Sequence, residues 1–190
     1  MKLTYKGKYD GNPQTLPHGE HVPGAVKFKE CEDPKQLGVL ANGIALVITI
    51  VTLVLLFLRG GIDAFSIPGA ILVMLSAFPH ELLHAICFKE EVYLYTNIKD
   101  GMLFVVGPEQ MSKARFIFMS LLPNLVFGVI PFVIFLMNPK FGFFGTFGAL
   151  AIGMGAGDYY NVYNAVTQMP IGARTYLYEF NSYWYMPEGE

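Results

Sequence analysis

Between Gly38 and Leu58 the chain runs for twenty-one residues without a charged side chain. Asn42, Thr49 and Thr52 are its only polar interruptions. A helix of about 20 such residues crosses the hydrocarbon of a bilayer, where each backbone group must find its partner within the segment. No other stretch limits the fold as much. Three further apolar runs follow, so the expected spans are residues 38–58, 67–88, 114–137 and 141–167. The expectation is an all-α polytopic membrane protein with about four transmembrane helices. Between the second and third spans, Val92–Asn97 and Met102–Val106 are β-prone runs joined through Asp100-Gly101, which predicts a small β-hairpin. Charged residues make up only 15% of the chain, against about 25% in soluble domains, and the long charge-free runs account for the deficit.

The flanks read differently. Residues 1–36 are polar and carry Pro13, Pro17, Pro23 and Pro34, which predicts a loosely folded N-terminal arm with a short strand near Leu3–Tyr5. This arm is too long and too mixed for a leader, so the first apolar run is expected to be an uncleaved anchor. Residues 37–169 form the four-helix domain. Residues 170–190 make a tail with Tyr176, Tyr178, Phe180, Tyr183, Trp184 and Tyr185, a composition suited to the membrane interface. Eleven of the Lys and Arg residues fall in the arm, the central loop with its flank, and the tail, while Arg59 and Lys140 occupy the opposite loops. By the positive-inside rule this predicts a multi-pass cell-membrane protein with both termini cytosolic. A net charge of −2 without a basic stripe argues against nucleic acid as a partner. Cys31 and Cys87 are expected to be free thiols.

The second run ends in Phe78-Pro79-His80-Glu81-Leu82-Leu83-His84. On a helix, His80 and His84 project from one face, one turn apart, where a single zinc ion can take both imidazoles. Glu81 lies beside that face, in the place of a general base for a metal-bound water. Pro79 interrupts the backbone ladder and predicts a kink, tolerable in lipid only where protein or water covers it.

Ionisable groups in apolar spans are costly and are functional candidates. Within the four runs the acids are Glu81 and Asp158 and the histidines are His80 and His84. Asp158 lies about 26 Å along the fourth run, and the histidines about 20–25 Å along the second, so all three fall at similar depth. Asp158 is the candidate third ligand. Cys87, which shares a helix face with His80 and His84, is the alternative. Asn161 and Asn164 follow Asp158 at one-turn offsets and either orient a ligand or substrate carbonyl or bond between helices. The small residues of Gly153–Gly157 predict close helix approach. Two function classes fit these groups. One is a zinc metallopeptidase acting on a peptide or membrane-protein substrate, with the lipid bilayer as its surroundings. The other is a non-proteolytic protein that binds or transports a metal or protons through the same His/Asp cluster.

These motifs carry a resemblance. The chain resembles site-2-protease-type intramembrane metalloproteases and, more closely, is similar to a family of small bacterial membrane proteins described as putative zincin peptidases. The likeness runs from about Ile67 to Tyr185. It rests on His-Glu-x-x-His at 80–84, on Leu122-Pro123-Asn124-Leu125, and on Gly157-Asp158 within Gly-Asp-Tyr-Tyr-Asn-Val-Tyr-Asn, followed by Met169-Pro170-Ile171-Gly172-Ala173. It implies zinc held by His80, His84 and Asp158, catalysis by Glu81, and a substrate-positioning or supporting role for Asn124. Site-2 proteases have Asn-Pro before the ligand Asp and Gly after it. Here Gly157 precedes Asp158 and Tyr159 follows. Beside such a site, the predicted hairpin either offers its edge to an extended substrate strand or is a plain connection.

Overall fold

The computed structural model describes residues 1–31, 33–97, 102–179 and 181–187. The Asp100-Gly101 turn and Phe180 lie outside them. The chain divides into two units, residues 1–32, 81–119 and 161–190 in one, and 33–80 and 120–160 in the other.

The first unit is built on two sheets. Strand β1 (Lys2–Lys8) runs parallel to β3 (Glu91–Asn97), with Leu3 opposite Val92 and Tyr5 opposite Leu94. Strand β4 (Met102–Val106) pairs antiparallel on the other side of β3, Tyr95 opposite Phe104. The order is therefore β1-β3-β4, with β4 outermost. The predicted hairpin is present, and its central strand buries Val92, Leu94 and Tyr95. Tyr9 packs edge-on against Tyr95 and Phe104, with ring centroids 6.2 and 5.4 Å away. The second sheet has the order β2-β7-β6-β5, from β2 (Val26–Lys27), β5 (Met111–Ser112), β6 (Arg174–Tyr178) and β7 (Asn181–Tyr185). All its pairings are antiparallel.

The second unit is helical. Helix α1 (Pro34–Gly60) covers the first apolar run. Helices α2 (Ile67–Leu75) and α3 (Ala77–Ala85) divide the second run and meet at Ser76 with a 47° bend. Pro79 explains the break, because it has no N–H to give the carbonyl one turn earlier, and the ladder resumes with His80 N to Ser76 O at 2.8 Å. Helix α4 (Lys113–Pro123) continues through a π-helical segment (Asn124–Val129) into α5 (Ile130–Met137). Helix α6 (Gly142–Met154) is followed by α7 (Ala156–Gln168).

Helix α6 is the hub of this unit, and its small residues are the reason. Gly145 lies against Leu56 and Phe135, Gly148 against the backbone of Phe132, and Gly153 against Thr49. Backbones approach closely enough for the Thr52 hydroxyl to donate to the Ala149 carbonyl at 2.9 Å. Leu56, Phe135 and Ala149 are fully buried in the resulting core.

The all-α, four-span expectation is overturned by the two sheets and by the number of candidate spans. Seven strands are present among the described residues, drawn partly from the segments expected to be a loose arm and an interfacial tail. The reason is pairing. A two-stranded hairpin is marginal alone, and β1 supplies a third strand. The aromatic tail consists of residues that favour strands, and it folds into the β6–β7 ladder. Two helical stretches, Gln36–Gly60 and Lys113–Met137, are long and apolar enough to cross a membrane, and the bent pair of the second run makes a third if taken as one span. The fourth run is broken after Met154, leaving an apolar helix of 13 residues.

The glycine packing predicts opposite signs for two substitutions. Gly148→Val places a side chain onto the Phe132 backbone and should destabilise the protein by about 1–3 kcal/mol. Gly43→Ala, which meets nothing within 4 Å, should leave stability unchanged or raise it by up to about 1 kcal/mol. Thermal unfolding of the two variants beside wild type checks both.

Candidate metal centre

Helix α3 carries His80, Glu81 and His84. Within this one helix their candidate ligand atoms all lie within 4.8 Å of one another. Both histidines are buried, 6% and 7% exposed as whole residues. The boundary between the two units falls inside α3, after His80.

In the helical unit, His80 Nε2 lies 3.2 Å from Asp158 Oδ2. Both side chains are largely withdrawn from solvent, at 8% and 14% exposure. Asp158 sits in the first turn of α7. The same carboxylate oxygen accepts a hydrogen bond from Asn124 Nδ2 at 2.7 Å, and that amide also donates to the Ser120 carbonyl at 3.2 Å. Two carbonyl-type acceptors on one nitrogen fix which end of the amide is NH2. Asn124 opens the π-helical segment, the kind of helix irregularity that re-aims a side chain at functional sites. Its amide lies directly on Gly155, where any Cβ would overlap it. The Asn124 Oδ1 and the Ser120 hydroxyl are buried without a hydrogen-bond partner among the described residues.

In the sheet-bearing unit, His84 Nδ1 lies 2.9 Å from the Met119 carbonyl. A carbonyl only accepts, so Nδ1 carries a proton, and in the neutral ring that leaves the lone pair on Nε2. Glu81 Oε2 accepts from the backbone N–H of Val105, on β4, at 3.0 Å. Ala85 is fully buried, in a cluster with Phe88, Val92 and Met111 that fixes the chain leaving α3. Arg115 reinforces that exit, donating from Nε to the Cys87 carbonyl at 2.9 Å and from Nη1 to Glu109. Glu109 also accepts from the backbone N–H groups of Lys89 and Glu90. Burial pushes the Glu109 carboxyl up, but these hydrogen bonds and the Arg115 charge outweigh it and hold it below the usual carboxylate range.

The donor set suits zinc. Two donors of a tetrahedral zinc, each about 2.0–2.1 Å from the ion, lie about 3.3 Å apart, close to the His80–Asp158 spacing. The His84 tautomer is the one a backbone carbonyl imposes on a ligating histidine. A family model described as DUF3267, putative zincin peptidase, matches residues 71–174. The chain belongs to this family. No curated protein and no solved structure matches it.

Of the other candidates in this zincin-family chain, Cys87 and Asn164 make contacts of their own. Cys87 lies beyond the end of α3, with its thiol turned to the Leu83 carbonyl at 3.5 Å. Both Cys31 and Cys87 are free thiols. Asn164 is buried, and its Oδ1 accepts from Gln168, which also bonds both backbone groups of Lys29. That arrangement ties α7 to the N-terminal segment. Asn161 is half-buried and makes no side-chain hydrogen bond among the described residues. The supporting groups that sequence reasoning missed are the Met119 carbonyl, the Val105 N–H, the Glu109–Arg115 pair and Gly155. The first two act through the backbone and leave no side-chain signature. Gly155 stood in a run marked only for close helix approach.

Asn124→Leu should weaken zinc binding about 10–100-fold, the usual cost of losing a group that orients a ligand. Gly155→Ala, which displaces the same amide, should act in the same direction. Competition against a chelator of known affinity measures both. Glu109 makes a separate prediction. Its depressed folded-state pKa gives stability that is present above the ordinary carboxylate range and is lost as pH falls through the folded value. Glu109→Gln should therefore flatten the acid limb of a stability-versus-pH curve.

Proposed function

We propose that this protein is a membrane-embedded zinc metallopeptidase, site-2-protease-like in organisation, that hydrolyses a peptide bond of a peptide or membrane-protein substrate in or near the cytosolic leaflet. The observation that carries the reading is the pairing of Asp158 with His80 across 78 residues of sequence, held by Asn124. Membership in the zincin family supports the peptidase chemistry. The candidate spans and the exposed apolar surface of α1, with Val39, Leu46, Val47 and Leu58 each more than 60% exposed, support the membrane setting. Ten of the thirteen Lys and Arg residues fall in the sheet-bearing unit, which favours the cytosolic side for it.

In this reading His80, His84 and Asp158 hold the ion. Zinc, when bound, supplies a Lewis-acidic centre and an acidified water. Glu81 takes a proton from the attacking water at its carboxylate and returns it to the leaving amine. The Val105 N–H keeps that carboxylate in one orientation. His84 Nδ1, committed to the Met119 carbonyl, keeps the ring from turning. Asn124 does the same for Asp158. Because Val105 directs its N–H away from β3, the period of two turns Leu103 outward as well. Strand β4 thus offers an open edge to which an extended substrate segment adds as a further strand.

Glu81→Gln should retain stoichiometric zinc and lose peptide hydrolysis by at least about 100-fold, the range ascribed to a general base. His84→Ala should lose the zinc itself. Metal analysis and a peptide-cleavage assay on the same purified preparations test the pair. Undiminished cleavage by Glu81→Gln overturns the mechanism. Zinc retained without cleavage in wild type favours the non-hydrolytic class.

A further inference from the structure

Glu81 stands on the outer edge of the sheet at one particular rung. In the β1-β3-β4 sheet β4 is outermost, with Leu103 opposite Thr96 and Val105 opposite Leu94. The Thr96 carbonyl is spent on the β1 side, where it accepts from Tyr9 N at 2.8 Å. Thr96 and Leu103 are therefore a pair that exchanges no hydrogen bonds, and the N–H and C=O of Leu103 point away from β3. Val105, two residues on, points the same way, and its N–H donates to Glu81 Oε2 at 3.0 Å. Along the outer edge the groups come in the order Leu103 N–H, Leu103 C=O, Val105 N–H, Val105 C=O. Among the described residues, Val105 N–H is the one of these four with a hydrogen-bond partner.

A backbone N–H is a single donor. A strand added to this edge cannot set a carbonyl where the Glu81 carboxylate already sits, because two acceptor oxygens would crowd one hydrogen. Val105 C=O lies beyond that obstruction, so the open part of the edge is the Leu103 rung. We propose that Glu81 ends the substrate ladder there. An extended peptide donates one N–H to Leu103 C=O and accepts from Leu103 N–H. Its next carbonyl facing the edge, kept off Val105 by Glu81, belongs to the bond that is cut. The assignment of the cut rests on the peptidase reading above. The water oxygen bonds to that carbonyl carbon, the C–N bond breaks with its electron pair on nitrogen, and the nitrogen takes the proton that Glu81 removed. Strand geometry then gives the position of the cut. In an antiparallel ladder the N–H on Leu103 C=O belongs to the second residue after the cut, and in a parallel ladder to the residue just before it.

The test moves an N-methyl group along a peptide, removing one peptide N–H at a time. The full-length protein is used in maltoside micelles as two variants. Glu81→Gln keeps an amide oxygen that accepts from Val105 N–H, and Glu81→Ala vacates it. The peptide is the one from a tryptic digest of casein that Glu81→Gln binds most tightly, with affinity read by fluorescence anisotropy. In Glu81→Gln a single N-methyl position should weaken binding, by about tenfold, the scale of a lost hydrogen bond whose partner is left unpaired. In Glu81→Ala a second sensitive position should appear, two residues from the first, because Val105 is open. Wild type should cut the unmodified peptide at the bond given above, counted from the first sensitive position. Two or more alternate sensitive positions already in Glu81→Gln, none in either variant, the same single position in both, no peptide binding, or a cut elsewhere would each overturn the proposal. If the binding pattern holds and wild type cuts nothing, the peptidase reading and the assignment of the cut fall while the stop at Val105 stands. If wild type cuts peptides and the pattern fails, the stop falls and the peptidase reading stands.

Discussion

The Asp158 carboxylate is the interaction on which the helical unit turns. A carboxylate this far from solvent must be answered by donors or by a cation. Its neighbours in that unit include His80 Nε2 and the Asn124 amide. Meeting it imposes conditions on three separate elements. Helix α3 has to begin at a break, which Pro79 provides. The α4–α5 helix has to loosen into a π turn at Asn124. The junction of α6 and α7 has to be free of a side chain at Gly155, where the amide rests. Each condition costs helix regularity, and all three irregularities border one buried acid.

The sheet-bearing unit has a corresponding centre in Glu109. Its carboxylate gathers Arg115 and the two N–H groups that follow α3, while Arg115 reaches back to the Cys87 carbonyl just beyond that helix. The effect is to hold the point where helix becomes strand. Glu81 and Val105 are joined across the same corner, so the acid of the motif and the outer strand of the sheet are positioned by one short piece of chain.

How much of this was legible depended on whether a residue acts through its side chain. His80, Glu81 and His84 declare themselves by spacing, and Asp158 by being the other acid in the apolar runs. Asn124 was visible only through family resemblance, because a lone asparagine after proline has many uses. Met119 and Val105 contribute backbone atoms, which any residue supplies. The strands were underestimated for a different reason. Lys2–Lys8 mixes lysines with Leu3 and Tyr5, and its pairing partner lies some ninety residues away. Local pattern shows alternation but not the neighbour that makes a strand stable. The fourth apolar run read as one helix because nothing in Gly153–Gly157 announces that an amide from another helix occupies the gap.

The π turn at Asn124–Val129 has a consequence for how this helix tolerates change in length. Upstream of it, Asn124 must face Asp158. Downstream, Phe132 and Phe135 must face the core beside α6. An α-helix advances about 100° per residue, and the widened turn supplies the angular offset that lets one continuous helix satisfy both directions. Loss of a single residue from that turn removes the widening and the extra residue together, so the two halves keep their phase. Regular winding of all the residues would instead rotate the halves by about one residue's step, and either the phenylalanines would leave the core or the amide would leave the acid. The turn is therefore where this helix absorbs a one-residue change in length.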